Sequence, residues 1–313
     1  MENEAITLSI IIPVYNSSRF LDECLSSLEK QTASINYEAI VSYDLSEDDS
    51  LSIIEKHMET NPNIKLLKNK ERLGILIART EAIKISIGEY VTFLDSDDYF
   101  LPNAFEEISK VINKEKPDIA SFSFYTLKNN KIRKYPFAKN KIISKDKAFA
   151  YLQSDISFRG FLWQKIFKRS LFEKRPLLFI SEKNAMFEDN CLVFSLIEHS
   201  NNIVLSRNRY YVYREDNSLS GTTVKRIDRL DKHILCFDLE KYFACSVNDS
   251  IAMKTSIKFT WRNVLSLKFD AKKDASFGGM PYKEAKRKIK QWAKEYKSEH
   301  SIDSNKSNKY FIF

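Results

Sequence analysis

Glycine is scarce, with six in 313 residues, so each is expected to answer a local need of the backbone. Cysteine is scarce too. Cys24, Cys191, Cys236 and Cys245 form no Cys-x-x-Cys pair and show no paired spacing, which argues against a disulfide framework and reads as the reduced core of a cytosolic protein. The four histidines are scattered, against a zinc site. No apolar run approaches the length of a membrane span. The run Leu8–Val14 is short and preceded by acidic residues, so it does not read as a signal peptide. What is plentiful is aromatic: 22 Phe and 15 Tyr, within an apolar fraction of 43%, mark a globular chain. The length suits one large domain, or one domain with a helical extension. A net charge of +8 calls for an anionic partner.

The most informative stretch is Tyr90-Val-Thr-Phe-Leu-Asp-Ser-Asp-Asp98. Tyr90 to Leu94 suit a strand covered on both faces. At its carboxyl end Asp95, Asp97 and Asp98 arrive within four positions, and like charges so close repel unless a cation holds them. Mg²⁺ and Mn²⁺ prefer carboxylate oxygen and share their shells with substrate phosphates. Ligands of open α/β sheets lie beyond the carboxyl ends of the strands. The stretch therefore reads as a metal-diphosphate site. A surface turn with Asp98 capping the next helix is the simpler alternative, but three aspartates exceed what a turn needs.

Upstream, Thr7–Val14 predicts a first strand, with Ser17 or Ser18 capping a helix that buries Phe20, Leu21, Cys24, Leu25 and Leu28. Tyr37–Tyr43 predicts a second strand, and Ser46 or Asp48 opens a helix carrying Leu51, Ile54 and Met58. Asn63–Leu67 is a short third strand. A helix from about Gly74 to Ile87 buries some of Ile77, Ala78, Ala82 and Ile85. The order β-α-β-α-β-α-β predicts a parallel sheet with helices on both faces. Tyr15, Asp44, Asp95 and Asp97 then emerge on one sheet edge. A stacking aromatic, a carboxylate for a base or ribose, and a metal-diphosphate site along one crevice describe a nucleotide pocket.

Ile12-Pro-Val-Tyr-Asn16, Asp44 with Ser46 and Asp48, Gly74 with Ala78-Arg79, and Gly88 to Asp98 together resemble, in order and spacing, the family 2 glycosyltransferases of GT-A fold found in bacterial capsule, lipopolysaccharide and teichoic-acid synthesis. The resemblance covers the first 115 residues well and continues weakly to about 220. It implies a Rossmann-like, mostly parallel central sheet and a donor pocket for a nucleoside-diphosphate sugar, usually of uracil. In that pocket Tyr15 and Asp44 contact the base, Pro13 shapes the turn and Arg79 faces the nucleotide. Asp95 lies by the ribose with Ser96 beside it, and Asp97, with Asp95, holds Mn²⁺ or Mg²⁺. Two positions depart from the pattern. Leu45 stands where glycine is usual, so that turn must avoid a positive φ or bear strain. Thr80 stands where asparagine is commoner.

After a lysine-rich connection, Lys128–Lys141, the segment Phe161–Arg169 resembles the part of the family that runs behind the acceptor, which puts Trp163 and Lys165 on the acceptor side. Phe187-Glu-Asp-Asn190 precedes an apolar helix, Cys191–Ile197, and its Glu-Asp pair matches the family's catalytic carboxylates. An inverting transfer needs one base for the acceptor hydroxyl. Asp189 takes that role with Glu188 beside it, against the simpler reading of Asp189 as a helix N-cap. Tyr210–Arg214 alternates as a strand, and Arg214, Ser218 and Ser220 are candidates for a lid over the diphosphate.

From about 225 the pattern turns helical, and residues Lys225–Phe313 hold 20 basic against 11 acidic side chains, an excess of 9. Tyr282, Ala285, Ile289, Trp292 and Tyr296 form an apolar stripe among lysines. Residues 281–297 thus suit an anionic membrane surface, the protein body or a second subunit, which leaves room for an oligomer. The expected organisation is a GT-A domain over 1–222 (nucleotide half 1–115, acceptor half 116–222), a basic helical extension over 223–300 and a tail over 301–313. The expected location is cytoplasmic, or peripheral on the inner face of the membrane, and the acceptor a glycan or lipid-linked saccharide. A sugar nucleotidyltransferase would want a glycine-rich loop with a basic residue after the first strand, and Pro13 to Ser18 has neither. A non-catalytic basic protein binding membrane or nucleic acid would not place Asp44, Asp97 and Asp189 where phosphates must come, so no nucleic acid is expected.

Overall fold

The computed structural model describes residues 6–33, 35–135, 140–153, 158–173 and 188–215, with isolated positions between 283 and 298. The elements run β1 (Leu8–Val14), α1 (Ser18–Glu29), β2 (Tyr37–Tyr43), α2 (Ser50–Thr60), β3 (Ile64–Lys68), α3 (Ile75–Ile85), β4 (Tyr90–Phe93), β5 (Tyr99–Phe100) and α4 (Ala104–Glu115). There follow β6 (Ile119–Lys128), β7 (Lys131–Lys134), β8 (Lys141–Ile143), α5 (Lys145–Gln153), β9 (Lys165–Lys168), α6 (Ser170–Glu173), α7 (Glu188–His199) and β10 (Ile203–Arg214).

The ten strands form one sheet in the order β3-β2-β1-β4-β9-β6-β10-β5, with β7 on β6 and β8 on β10. Strands β3, β2, β1 and β4 are parallel, joined by right-spaced β-α-β units as the sequence predicts. Every residue of β1, β2 and β4 is buried, which is why these strands read as apolar runs. Strand β9 then enters antiparallel between β4 and β6. That insertion brings the second half of the chain against the carboxyl end of β4.

Two amphipathic faces differ from the predicted ones. In α2 the buried positions are Ser50, Ile54 and His57, while Met58 is exposed. His57 turns inward because Asp22 and Glu29 of α1 meet its two ring nitrogens, each at 3.1 Å. In α3 Leu76, Ala78, Arg79, Ala82 and Ile83 are buried and Ile85 is half exposed, because the helix turns Arg79 toward the site. The connection expected over Lys128–Lys141 is partly a hairpin. Asn129 and Asn130 take positive φ (49° and 58°) and reverse the chain from β6 to β7, a turn that asparagine tolerates.

At the opposite end of the sheet from the carboxyl edge, Glu38 accepts from the Ser9 hydroxyl (2.6 Å), the Ile87 N–H (2.7 Å) and the Lys65 ammonium (2.7 Å). Gly88 completes this knot by donating its N–H to Ser9 Oγ at 2.9 Å. A Cβ at Gly88 would stand 2.6 Å from the Ser9 nitrogen and 2.8 Å from the Leu8 carbonyl carbon. Backbone must move to admit it, so Gly88→Ala is expected to destabilise the domain by about 1–3 kcal/mol. Urea unfolding checks this, and an unchanged midpoint would mean that β1 and the β4 entry can part freely.

Candidate active site

The carboxyl edge begins with two interlocked turns. After β1, Asn16 takes φ 48° and after β2, Leu45 takes φ 50°. The departure at Leu45 is therefore accommodated by strain, worth about 1–2 kcal/mol for a side chain in the left-handed region. The turns hold each other. Asn16 N–H donates to Ser46 Oγ (3.0 Å), Glu47 N–H to Asn16 Oδ1 (2.9 Å), and Ser18 N–H to Asp48 Oδ2 (2.8 Å). Ser17 occupies the N-cap position of α1 without a capping bond, because its hydroxyl meets Ser96 Oγ at 2.6 Å instead. Asp48, before α2, accepts from Ser50.

Pro13 is buried at the end of β1 and Tyr15 is half-buried beyond it. The Arg72 guanidinium sits 3.9 Å from the Tyr15 ring centre, a cation–π contact that sequence reading missed. Asp44 is 3% exposed. Its Oδ1 accepts from Leu73 N–H (2.7 Å) and Asn69 Nδ2 (3.2 Å), and its Oδ2 from Gly74 N–H (2.8 Å). Gly74 can offer that N–H because it takes φ 82°, where a side chain would be strained. Asp44 thus moulds the loop 69–74 that carries Arg72 over Tyr15.

Asp95, Ser96 and Asp97 follow β4 directly, all half-buried. Asp98 points inward and does not cap a helix. It is 1% exposed, accepting from the Tyr211 hydroxyl (2.7 Å) and the Arg214 N–H (2.7 Å), while Asn103 stands at the N-cap of α4. The Tyr211 hydroxyl also accepts from Asp95 N–H at 3.2 Å. Arg214 belongs to the end of β10, not to a lid. Its Nε donates to the Asp97 carbonyl (2.9 Å), its Nη2 to Glu23 (2.5 Å), and its guanidinium lies 4.2 Å from the Phe20 ring centre. Ser218 and Ser220 lie outside the described residues, as does the apolar stripe of 281–297. Lys283, Lys286, Arg287, Lys290 and Lys294 are helical and exposed.

Negative charge is crowded at this turn. Burial, then Asp97 and Asp95, push the Asp98 carboxyl well above the usual range. Burial followed by Asp98 does the same to the Tyr211 hydroxyl, and burial with all three aspartates to the Cys24 thiol. An all-oxygen donor set in a field this negative fits a hard divalent cation. Among the described residues no three or more His, Cys, Asp or Glu side chains form a ready cage.

Arg79 ties this turn to the second half of the chain. Its guanidinium is buried, 5.9 Å from the Phe93 ring centre, and forks between two carboxylates. Nη2 meets Asp95 Oδ1 at 2.7 Å and Nη1 meets Asp189 Oδ1 at 2.6 Å, across 110 positions of sequence. Asp189 stands in the first turn of α7, yet its carboxylate serves Arg79 and the Leu162 N–H. Burial raises Asp189 above the usual carboxylate range and Asp95 adds to this, while Arg79, the Leu162 N–H and Lys165 oppose it. Glu188 is the residue before it on α7.

Trp163 is 3% exposed, so it can be only the floor of any acceptor site. Phe161, Tyr211 and Tyr213 stack on it at 4.8, 4.6 and 5.2 Å between ring centres. Phe161 and Tyr213 are half-buried and extend that floor outward. Lys165 is fully buried, which removes it from contact with an acceptor.

The sequence profile of glycosyl transferase family 2 matches residues 9–187, more than half of the chain. The chain belongs to glycosyl transferase family 2. The match stops two residues short of Asp189. This glycosyltransferase-family chain is 28% identical over 232 residues to the uncharacterized glycosyltransferase EpsJ of Bacillus subtilis, covering 72% of this chain and 66% of EpsJ. The fold is that of S. aureus TarS 1-349 in complex with UDP-GlcNAc, with TM-score 0.63, 22% identity, and coverage of 81% of this chain and 70% of TarS. It is also that of the mannosyltransferase PcManGT from Pyrobaculum calidifontis in complex with GDP-Man and Mn²⁺. There the TM-score is 0.52, at 16% identity over 82% of this chain and 74% of the other. The GT-A architecture read from the sequence is borne out. Among the described residues no helix is long and apolar enough to cross a membrane.

Proposed function

We propose that this chain is an inverting, metal-dependent glycosyltransferase. It moves a sugar from a UDP-sugar to a hydroxyl of a cell-surface glycan or lipid-linked saccharide, with Asp189 as base. The observation that carries this reading is the Arg79 fork, which joins Asp189 to Asp95 beside the metal-type carboxylates. A uridine nucleotide is favoured by the fold shared with TarS, which binds UDP-GlcNAc, and a divalent cation by PcManGT, which carries Mn²⁺.

In this mechanism Tyr15, with Arg72 and the loop moulded by Asp44, receives the base, and Pro13 and Ser96 line the pocket. Asp97 and Asp95 would hold Mn²⁺ or Mg²⁺, whose charge offsets that of the diphosphate as it leaves. Asp189 takes the proton of the acceptor hydroxyl, with Glu188 as its neighbour. A base with an elevated proton affinity suits that step. Phe161 and Tyr213, stacked on Trp163, offer the acceptor sugar an aromatic face. Arg214 braces the metal turn from behind; Ser218 and Ser220 follow it as candidates for a diphosphate lid. The domain comprises 1–222, and the basic extension 223–300 offers, through 281–297, a surface suited to an anionic membrane, to the protein body or to a second subunit.

The test is calorimetric binding of UDP-, GDP- and dTDP-sugars with Mn²⁺ and with chelator. Wild type is expected to bind a UDP-sugar with Mn²⁺ at least about tenfold more tightly than with chelator, from the charge a cation offsets on a diphosphate. Asp97→Ala should remove that dependence. No binding of any sugar nucleotide with either metal would sink the donor-site assignment.

A further inference from the structure

Lys165 opens β9 with no exposed surface at all. Its ammonium donates to the Phe161 carbonyl at 2.8 Å and to the Arg159 carbonyl, and lies 4.7 Å from the Phe158 ring centre. A buried ammonium is costly unless acceptors surround it, so these carbonyls and this charge hold each other in place. The backbone of Lys165 is fixed as well. Its N–H donates to the Leu162 carbonyl (3.0 Å), and its own carbonyl accepts from Thr92 Oγ1 of β4 (2.8 Å). The loop clamped in this way, 158–162, is the one whose Leu162 N–H reaches the Asp189 carboxylate. Around that carboxylate stand Arg79 of α3, Asp95 at the end of β4, the Leu162 N–H and the Lys165 charge.

We propose that Lys165 is the positioning residue for Asp189. By gripping the carbonyls of residues 159 and 161, it sets the loop so that the Leu162 N–H orients the carboxylate that Arg79 holds from the other side. Lys165 touches neither donor nor acceptor. It acts through Asp189, so the inference rests on Asp189 being the transfer base.

The experiment uses the full chain with Mn²⁺. Binding of UDP is read by calorimetry. Turnover is read as UDP released from UDP-glucose, UDP-galactose and UDP-N-acetylglucosamine with water as acceptor. Lys165→Met is expected to keep UDP affinity within about threefold and to lower kcat by about 10–100-fold with little change in KM, the scale of a displaced catalytic group. In an Asp189→Asn background the same substitution should lower kcat by less than about threefold, because two residues acting through one group are not additive. If Lys165→Met proves insoluble, Lys165→Gln, whose amide can still donate to one carbonyl, is read in the same way.

An unchanged kcat overturns the proposal. So does loss of UDP binding together with turnover, or a full additional loss on the Asp189→Asn background, since each means that Lys165 supports only the fold. An undiminished kcat in Asp189→Asn alone would instead remove the base assignment, and the Lys165 role with it.

Discussion

Asp189→Asn is expected to bind sugar nucleotide as wild type does and to transfer it about 10²–10⁴-fold more slowly, the usual share of a positioned base. Asparagine keeps the shape of the side chain, and its amide oxygen can still accept from Arg79 Nη1. It cannot take a proton. The pH profile separates this from a packing defect. Burial raises the Asp189 carboxyl above its ordinary range, and the group works ionised. Transfer by wild type should therefore fall as pH drops through that raised value, at a higher pH than an exposed aspartate would give. The stability linkage runs the other way. A carboxyl whose folded value is raised adds stability below its unfolded value and loses it as pH rises through the folded one. Acid loss of activity is then titration, not unfolding, and circular dichroism across the same range should stay flat. An acid limb that survives unchanged in Asp189→Asn would assign it to another group.

How much of this site could be read beforehand depended on how local each feature is. Parallel strands buried on both faces announce themselves as apolar runs, and their last residues share an edge by construction. Tyr15, Asp44, Asp95 and Asp97 were legible for that reason. Asp98 was not, because its partners Tyr211 and Arg214 come 113 and 116 positions later. Nothing in Ser-Asp-Asp distinguishes an inward carboxylate from a cap. His57 displaced Met58 from the buried face of α2 because the deciding groups, Asp22 and Glu29, sit on another helix. The Asn129-Asn130 turn did carry a local signal, two residues tolerant of positive φ, hidden within a lysine-rich stretch. Asp189 is proposed as the base from family resemblance alone. Its geometry depends on β9 entering beside β4, which no periodicity reveals.

Arg79→Lys carries the other large effect, because the proposed site depends on the fork between Asp95 and Asp189. A lysine keeps the positive charge but offers one compact ammonium, which cannot span Asp95 and Asp189 as two guanidinium nitrogens do. One of two sheltered carboxylates then loses its partner. Breaking a buried ion pair costs about 3–5 kcal/mol, which lowers the melting temperature by about 6–20 °C in a domain of this size. Turnover should fall by at least about 100-fold, since Asp189 is no longer referenced to the donor turn. Arg79→Met goes further. With no cation between them, Asp95 and Asp189 repel, Asp189 loses the charge that favours its ionised form, and the acid limb of turnover moves to higher pH. Melting curves and pH–rate profiles of the two variants settle the point together. A wild-type kcat with weakened UDP affinity would reduce Arg79 to a donor contact. Loss of kcat with the shifted acid limb makes it the residue that joins the two halves of the chain into one active site.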